Sequence, residues 1–193
     1  MKEFIAEFGA KAVLDVKDHD RLTCLKRSID KKNNASLTWL LLQNGADPND
    51  ALSSAVNWGS FAHLEILLAY GAKADNDYSQ ALFRAADRQP FGEEERKMMR
   101  LLLQNGADPT AEKPGRFPRK SPFMWAVFIS NYGAIQELAK WMKDVPQVQE
   151  SDLTSWQRTK EKYDKVLEAI QKGKDERKAI MGDKERERER ERE

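Results

Sequence analysis

The 193-residue sequence predicts an all-α solenoid, in which pairs of helices stack in a row and each pair covers the apolar face of the next. One nine-residue segment, Leu-Leu-Leu-Gln-Asn-Gly-Ala-Asp-Pro, occurs identically at residues 40–48 and 101–109. A second pattern, typical of a helix start, recurs four times without gaps. Hydrophobic residues make up 40% of the chain, which is enough to build a core. Internal similarity at this scale is the signature of repeat architectures.

The Leu-rich segments predict helix ends, because each runs into a glycine. Glycine most readily adopts the left-handed conformation that closes a last helical turn. Gly45 and Gly106 end the two identical copies, Gly71 ends a weaker copy, and Gly9 ends a fourth segment near the N-terminus.

The second pattern predicts helix starts. Its first residue is polar and suited to capping, its third is large and apolar, and its sixth is small. The small residue allows two helices to approach closely, while the large one fills the layer between neighbouring units. Pro122 stands in a first helical turn, where its missing N–H costs nothing. The four copies are residues 23–28, 50–55, 80–85 and 121–126.

Together these patterns resemble the ankyrin repeat, whose signature is a Thr-Pro-Leu-His-x-Ala opening and a Gly-Ala-Asp after the second helix. The resemblance covers roughly residues 4–143. Only Ser121-Pro122 keeps the proline, so the repeats are divergent. The histidine of the opening is replaced by Lys26, Ser53, Phe83 and Met124. In this family, finger-like hairpins project between the helix pairs.

The numbers of residues between the helix-end glycines and the helix-start patterns differ from repeat to repeat. From terminal glycine to the next small helix residue the chain runs 19 residues (Gly9 to Ser28) but only 10 from Gly45 to Ala55. The second finger is therefore predicted to be a tight turn. From small residue to glycine the third repeat is about five residues longer than the others, which predicts an insertion around residues 89–92.

Beyond residue 150, apolar residues from Trp156 to Ile170 recur at helical spacing, which predicts an amphipathic helix. A solenoid end exposes an apolar face, so we expect this helix to cap the last repeat, with partner binding as the alternative. Alternating Glu and Arg over residues 185–193 place opposite charges at i,i+3 and like charges at i,i+4, effects that nearly cancel. We therefore expect a disordered tail or a frayed helix there.

The predicted organisation has four parts. They are residues 1–18, a partial N-terminal repeat comprising a second helix and the start of a finger; residues 19–144, the ankyrin-repeat domain, with repeats at 19–47, 48–75, 76–109 and 110–144; residues 151–173, the C-terminal helix; and residues 174–193, the charged tail.

Composition excludes several classes of function. The net charge is +1, so no general attraction to phosphate is expected, and no apolar run approaches the length of a membrane span. Cys24 is the single cysteine and there are only two histidines, which excludes a disulfide and the usual zinc sites. No phosphate-binding glycine loop is present. We predict no cofactor, no metal site and no catalytic residue.

Acidic residues in the first 20 positions argue against export, so we expect an intracellular protein, cytoplasmic or nuclear.

The family resemblance implies that partners are contacted by the finger tips and by the two residues after the small-residue pair of each first helix. Large aromatic residues carry much of the energy at interfaces, so Trp58 is the first candidate. The alternative is that Trp58 packs against its own neighbouring repeat. The positions selected are Asp30 and Lys31, Asn57 and Trp58, Asp87 and Arg88, and Phe128 and Ile129.

The fourth finger, residues 111–120, carries a net charge of +3. Its basic residues surround one aromatic ring, an arrangement suited to an acidic peptide or, less favourably, to single-stranded nucleic acid. The alternative is a plain connection held by Pro114 and Pro118. The candidate residues are Lys113, Arg116, Phe117, Arg119 and Lys120.

These observations predict a non-catalytic, monomeric scaffold that binds a partner protein or peptide, an acidic one if the fourth finger takes part. Two alternatives remain open. One is a nucleic-acid-associated module that uses the basic fourth finger, which the near-neutral charge disfavours. The other is a regulatory fragment of a larger enzyme or multidomain protein. No membrane partner is predicted.

Overall fold

The computed structural model describes residues 14–30, 35–58, 60–74, 81–112, 121–154 and 159–190. Within these residues the regular structure is helical, with one isolated antiparallel bridge between Lys17 and Thr23. The α-helices are α1 (Cys24–Asp30), α2 (Ala35–Gln43), α3 (Pro48–Asn57), α4 (Phe61–Ala69), α5 (Ala81–Asp87), α6 (Glu93–Gln104), α7 (Pro122–Phe128), α8 (Tyr132–Trp141) and α9 (Lys160–Arg190), and a 3-10 helix spans Glu150–Asp152.

The chain divides into two compact units, Met1–Ala85 with Lys97–Asp108 and Ala86–Arg96 with Pro109–Glu193. In the first unit, α1 pairs with α2 and α3 pairs with α4. The two pairs also stack in serial order, with α1 on α3 and α2 on α4. Leu25 and Leu52, the large third residues of the helix-start pattern, are buried between them, as are the small residues Ser28 and Ala55. The predicted packing of helix pairs is confirmed in this unit.

The predicted helix ends are confirmed at three glycines. Gly45, Gly71 and Gly106 have φ values of 92°, 86° and 88°, in the left-handed region where a side chain would be strained. The N–H groups of Gly45 and Ala46 then donate to carbonyl groups of the preceding turn, at 3.0 and 3.1 Å. These bonds satisfy helix-end acceptors and reverse the chain. Gly9 lies outside the described residues.

Two of the predicted caps are confirmed. The Thr23 hydroxyl accepts a hydrogen bond from the Lys26 N–H at the start of α1, and the Ser121 hydroxyl accepts one from the Met124 N–H at the start of α7, at 3.3 and 3.2 Å. Each bond satisfies an N–H group that has no partner inside its helix. Gln80, the cap predicted before α5, lies outside the described residues.

The cap predicted at Asp50 is wrong. Helix α3 begins earlier, at Pro48, and Asp47 caps it by accepting the N–H of Asn49 at 2.9 Å. The tight second turn places a proline at the first helical position, which favours the earlier start. Asp50 instead lies within the first turn and accepts hydrogen bonds from Thr23 Oγ1 at 2.7 Å and Lys26 Nζ at 2.6 Å, tying α3 to α1.

The insertion in the third repeat is divided between a loop and a helix. Residues 88–92 separate α5 from α6, compared with three residues between α3 and α4, and α6 has 12 residues where α2 and α4 each have 9. Phe91, in this loop, lies against α8 so closely that a Cβ atom at Gly133 would be 2.4 Å from its ring. Arg96 lies 5.6 Å above the same ring and binds the fully buried carboxylate of Glu137 at 3.2 Å.

In the second unit, α7 pairs with α8, the 3-10 helix packs on α7, and α9 packs on α8. This is the same pairing as between successive repeats in the first unit. Leu153, after the 3-10 helix, is buried, and the N–H of Thr154 donates to the Phe128 carbonyl at 3.4 Å. Residues 150–154 and 159–190 therefore take the place of a further repeat whose first helix is reduced to one turn.

The C-terminal helix differs from its predicted bounds of 151–173. It begins at Lys160 and continues through residues 174–190, where we expected a disordered or frayed tail. Val166, Ala169 and Ile170 are buried at helical spacing and anchor the helix. Extending an existing helix avoids the cost of nucleation, and Lys, Glu, Arg, Ala and Met have high helix propensity. Trp156 lies outside the described residues.

Candidate protein-binding surface

The end of α3 presents an exposed tryptophan. Trp58 caps the helix, and its backbone N–H donates to the Ser54 carbonyl at 3.0 Å. The side chain is 60% exposed, and Asn57 beside it is exposed as well. Ala55 and Val56, in the same turn, are fully buried. Trp58 is therefore a large apolar side chain in contact with solvent on a firmly packed helix end.

The end of α5 presents an acidic group joined to two aromatic rings. Asp87, the last residue of α5, accepts a hydrogen bond from Trp125 Nε1 at 2.8 Å. The Trp125 ring stacks on Phe128, with 5.4 Å between ring centroids and 30° between ring planes. Asp87 is exposed and both rings are half-buried. The structure thus brings two predicted residues, Asp87 and Phe128, to one place, through a tryptophan that the prediction did not select.

Arg88 is engaged within the chain. Its Nη2 atom lies 3.2 Å from Glu95 Oε1, and Glu95 Oε2 accepts the N–H of Gly92 at 3.0 Å. Burial alone raises the pKa of the Glu95 carboxyl, but hydrogen bonds from backbone N–H groups and from Arg88 lower it below its usual value overall. Arg88 thus helps to fix the loop before α6, and its contact with a partner stays a prediction.

Several predicted site residues lie where the structure says nothing of their side chains. Asp30 ends α1, but its side chain is not described, and the other six lie outside the described residues. They are Lys31, Lys113, Arg116, Phe117, Arg119 and Lys120.

The first finger is a short hairpin closed by the Lys17–Thr23 bridge. Asp18 organises it, because its Oδ1 atom accepts the N–H groups of Leu22 and Asp20 at 3.0 and 2.9 Å. The hydrogen bond from Leu22 and the pairing with Arg27 lower the pKa of Asp18. Arg27 also pairs with Asp20. One guanidinium group thus pairs with both acidic groups at this tip, and we infer no metal site from them.

Comparison with known proteins finds one family of similar sequences and one similar solved structure. A sequence model of the family described as ankyrin repeats (3 copies) matches residues 25–113. This segment of the chain is therefore similar in sequence to ankyrin repeats. A search of the curated proteins finds no match. Among solved structures, the ankyrin repeat domain of human ASB11 is similar, with a TM-score of 0.58 and 21% sequence identity over 91% of this chain and 76% of that one. That likeness extends the ankyrin-type fold beyond the segment that the family model matches.

The similarity to ankyrin repeats indicates only a general class of function. Ankyrin repeats are generally protein–protein interaction modules, and the family is typically non-catalytic. In the part of the chain that the structure describes, no helix is both long and apolar enough to cross a bilayer.

The prediction missed an apolar groove on the second helices of the first two repeats. Trp39 of α2 is 47% exposed, and the groove beside it has a volume of about 580 Å³. One signal was present in the sequence, since α2 carries no charged residue and α4 carries only Glu65, whereas α6 carries six. The prediction considered only first helices and fingers. The groove is lined by Ala35, Ser36, Trp39, Leu40 and Ile66.

Proposed function

We propose that this ankyrin-repeat chain is a non-catalytic recognition module, acting as a monomer, that binds a partner protein or peptide through the ends of its first helices and its fingers. The observation that carries the proposal is Trp58, exposed at the helix end where the family resemblance places partner contacts.

The energy available from Trp58 is sufficient for an anchor. A tryptophan buries roughly 150–250 Å² when fully covered, so covering its exposed 60% is worth about 2–4 kcal/mol. Its backbone is fixed by the helix end, so little conformational entropy is lost when a partner covers the ring. A side chain with these properties has the character of an interface hot spot.

The experiment compares Trp58→Ala with Trp39→Ala, in a pull-down whose captured proteins are identified by crosslinking mass spectrometry. Both tryptophans are exposed, but Trp39 lines the groove on the second helices, which lies outside the contact surface proposed here, so it is a matched control. We expect Trp58→Ala to weaken capture about tenfold or more and Trp39→Ala to leave it unchanged, with both variants retaining helical circular dichroism. Equal loss in the two variants, or a sharply lowered melting temperature for Trp58→Ala, would contradict the proposal.

The fourth finger is the second proposed contact, and its basic composition favours an acidic partner segment. Arg116→Glu reverses one charge there and is expected to weaken capture without affecting stability. Capture that instead falls steeply as salt rises, and that nuclease treatment abolishes, would identify a nucleic-acid partner.

A further inference from the structure

The end of α5 holds its acidic group in a fixed position. Asn131, which is buried, donates from Nδ2 to the carbonyl oxygens of Ala86 at 2.9 Å and Arg88 at 3.1 Å, the residues on either side of Asp87. Trp125 Nε1 then holds the Asp87 carboxylate from α7. Backbone and side chain are thus both positioned before any partner arrives, which lowers the entropic cost of binding.

The charge at this position is not neutralised by the neighbouring cation. Arg88 extends instead to Glu95, at 3.2 Å. Among the described residues, no Lys or Arg side chain lies within ion-pair distance of Asp87. Trp125 donates to Oδ1 of this carboxylate, and Asp87 is exposed to solvent. The result is a negative group at the edge of a stacked pair of rings.

We propose that Asp87, Trp125 and Phe128 form a receptor for one basic side chain of the partner, with arginine as the best fit. The proposal rests on the recognition function proposed above and names the chemistry of one contact. A guanidinium group is planar, so it lies flat on an indole ring while its N–H groups reach a carboxylate at the ring edge. Lysine offers a point charge that satisfies the carboxylate but stacks less well.

The test uses the full chain and short peptides, and the signal is the indole N–H resonance of Trp125. That resonance is assigned by its absence in Trp125→Phe. The probes are acetylated pentapeptides Gly-Ser-X-Ser-Gly in which X is arginine, lysine, glutamate or citrulline, the uncharged isostere of arginine. We expect the arginine peptide to shift the resonance, the lysine peptide to bind more weakly, and citrulline to lower the affinity about tenfold.

Asp87→Asn keeps an oxygen acceptor for Trp125 and removes only the charge, so it is expected to weaken arginine-peptide binding about two- to fivefold. Asp144→Asn, at another exposed position of the same unit, is the matched control and should have no effect. Equal binding of the citrulline and arginine peptides, a preference for glutamate, or an unmoved Trp125 resonance would overturn the proposal. If one of these results is obtained but Trp58→Ala still weakens capture of the partner, the proposed recognition function stands and only the arginine receptor is wrong.

Discussion

Replacing Gly173 by alanine is expected to separate the C-terminal helix from the last full repeat. Helix α9 approaches α8 closely at this glycine. A Cβ atom there would lie 2.4 Å from the carbonyl oxygen of Gln136 and 2.8 Å from Cβ of Ala139. The first of these is a backbone atom and cannot rotate away. The added methyl group therefore forces α9 outward and loosens the packing of Val166 and Ile170, which are buried beside it.

Two effects of opposite sign determine how much Gly173→Ala changes the free energy of unfolding. Alanine in a helix interior is favoured over glycine by about 0.5–1 kcal/mol. Overpacking of a tight interface typically costs about 1–3 kcal/mol, and a clash with backbone belongs at the upper end. We expect Gly173→Ala to lower the free energy of unfolding by about 1–2 kcal/mol. For a chain of this length, each kcal/mol lowers the melting temperature by about 2–4 °C.

Lys172→Ala, at the exposed position next to Gly173 in the same helix, is the control. Lysine and alanine have similar helix propensities, so this variant should change the free energy of unfolding by less than about 0.5 kcal/mol. Chemical denaturation followed by circular dichroism, together with hydrogen exchange of α9, measures both. If Gly173→Ala is as stable as the wild-type chain and its α9 amides are equally protected, the close approach described here is wrong.

Two further predictions concern charged groups. Arg96→Met leaves the buried carboxylate of Glu137 without its guanidinium partner and should destabilise the fold by about 3–5 kcal/mol in urea unfolding, whereas the double variant with Glu137→Leu should recover much of the loss. The lowered pKa of Asp18 means that its ionised form stabilises the folded state. The melting temperature of the wild-type chain should therefore exceed that of Asp18→Asn at neutral pH. The difference should begin to shrink as the pH falls through about 4, the pKa of an unfolded aspartate, and should be lost below the lowered pKa of Asp18 in the folded chain. A difference that does not shrink on acidification would contradict this account.

Much of the fold follows from local features of the sequence. The glycine positions, the small and large residues of the first helices and the extra length of the third repeat are all patterns within a few residues, and the structure confirms them. Two local predictions failed for local reasons as well. Pro48 moved the start of α3 away from Asp50, and helix propensity carried α9 through the charged segment. In both cases the prediction weighed one local preference, and a stronger one determined where the helix begins or ends.

The candidate surface depended more on contacts between distant positions. Trp58 was selected from its register in the repeat, and its exposure is consistent with that choice. Trp125 was not selected, because its partner, Asp87, lies 38 residues away in the sequence. The pairing of Arg96 with Glu137 spans 41 residues and was equally invisible. No periodicity links such residues.

The sequence by itself determined that this protein is built of helix pairs in series, because each pair is specified by caps, apolar spacing and glycines within one repeat. Tertiary structure alone decided which side chains combine. Examples are the carboxylate of Asp87 that meets the indole of Trp125, the insertion that packs on α8, and the long helix that takes the place of a further repeat. The physical reason is that local patterns specify backbone conformation, whereas a site forms from side chains that packing brings together from separate repeats.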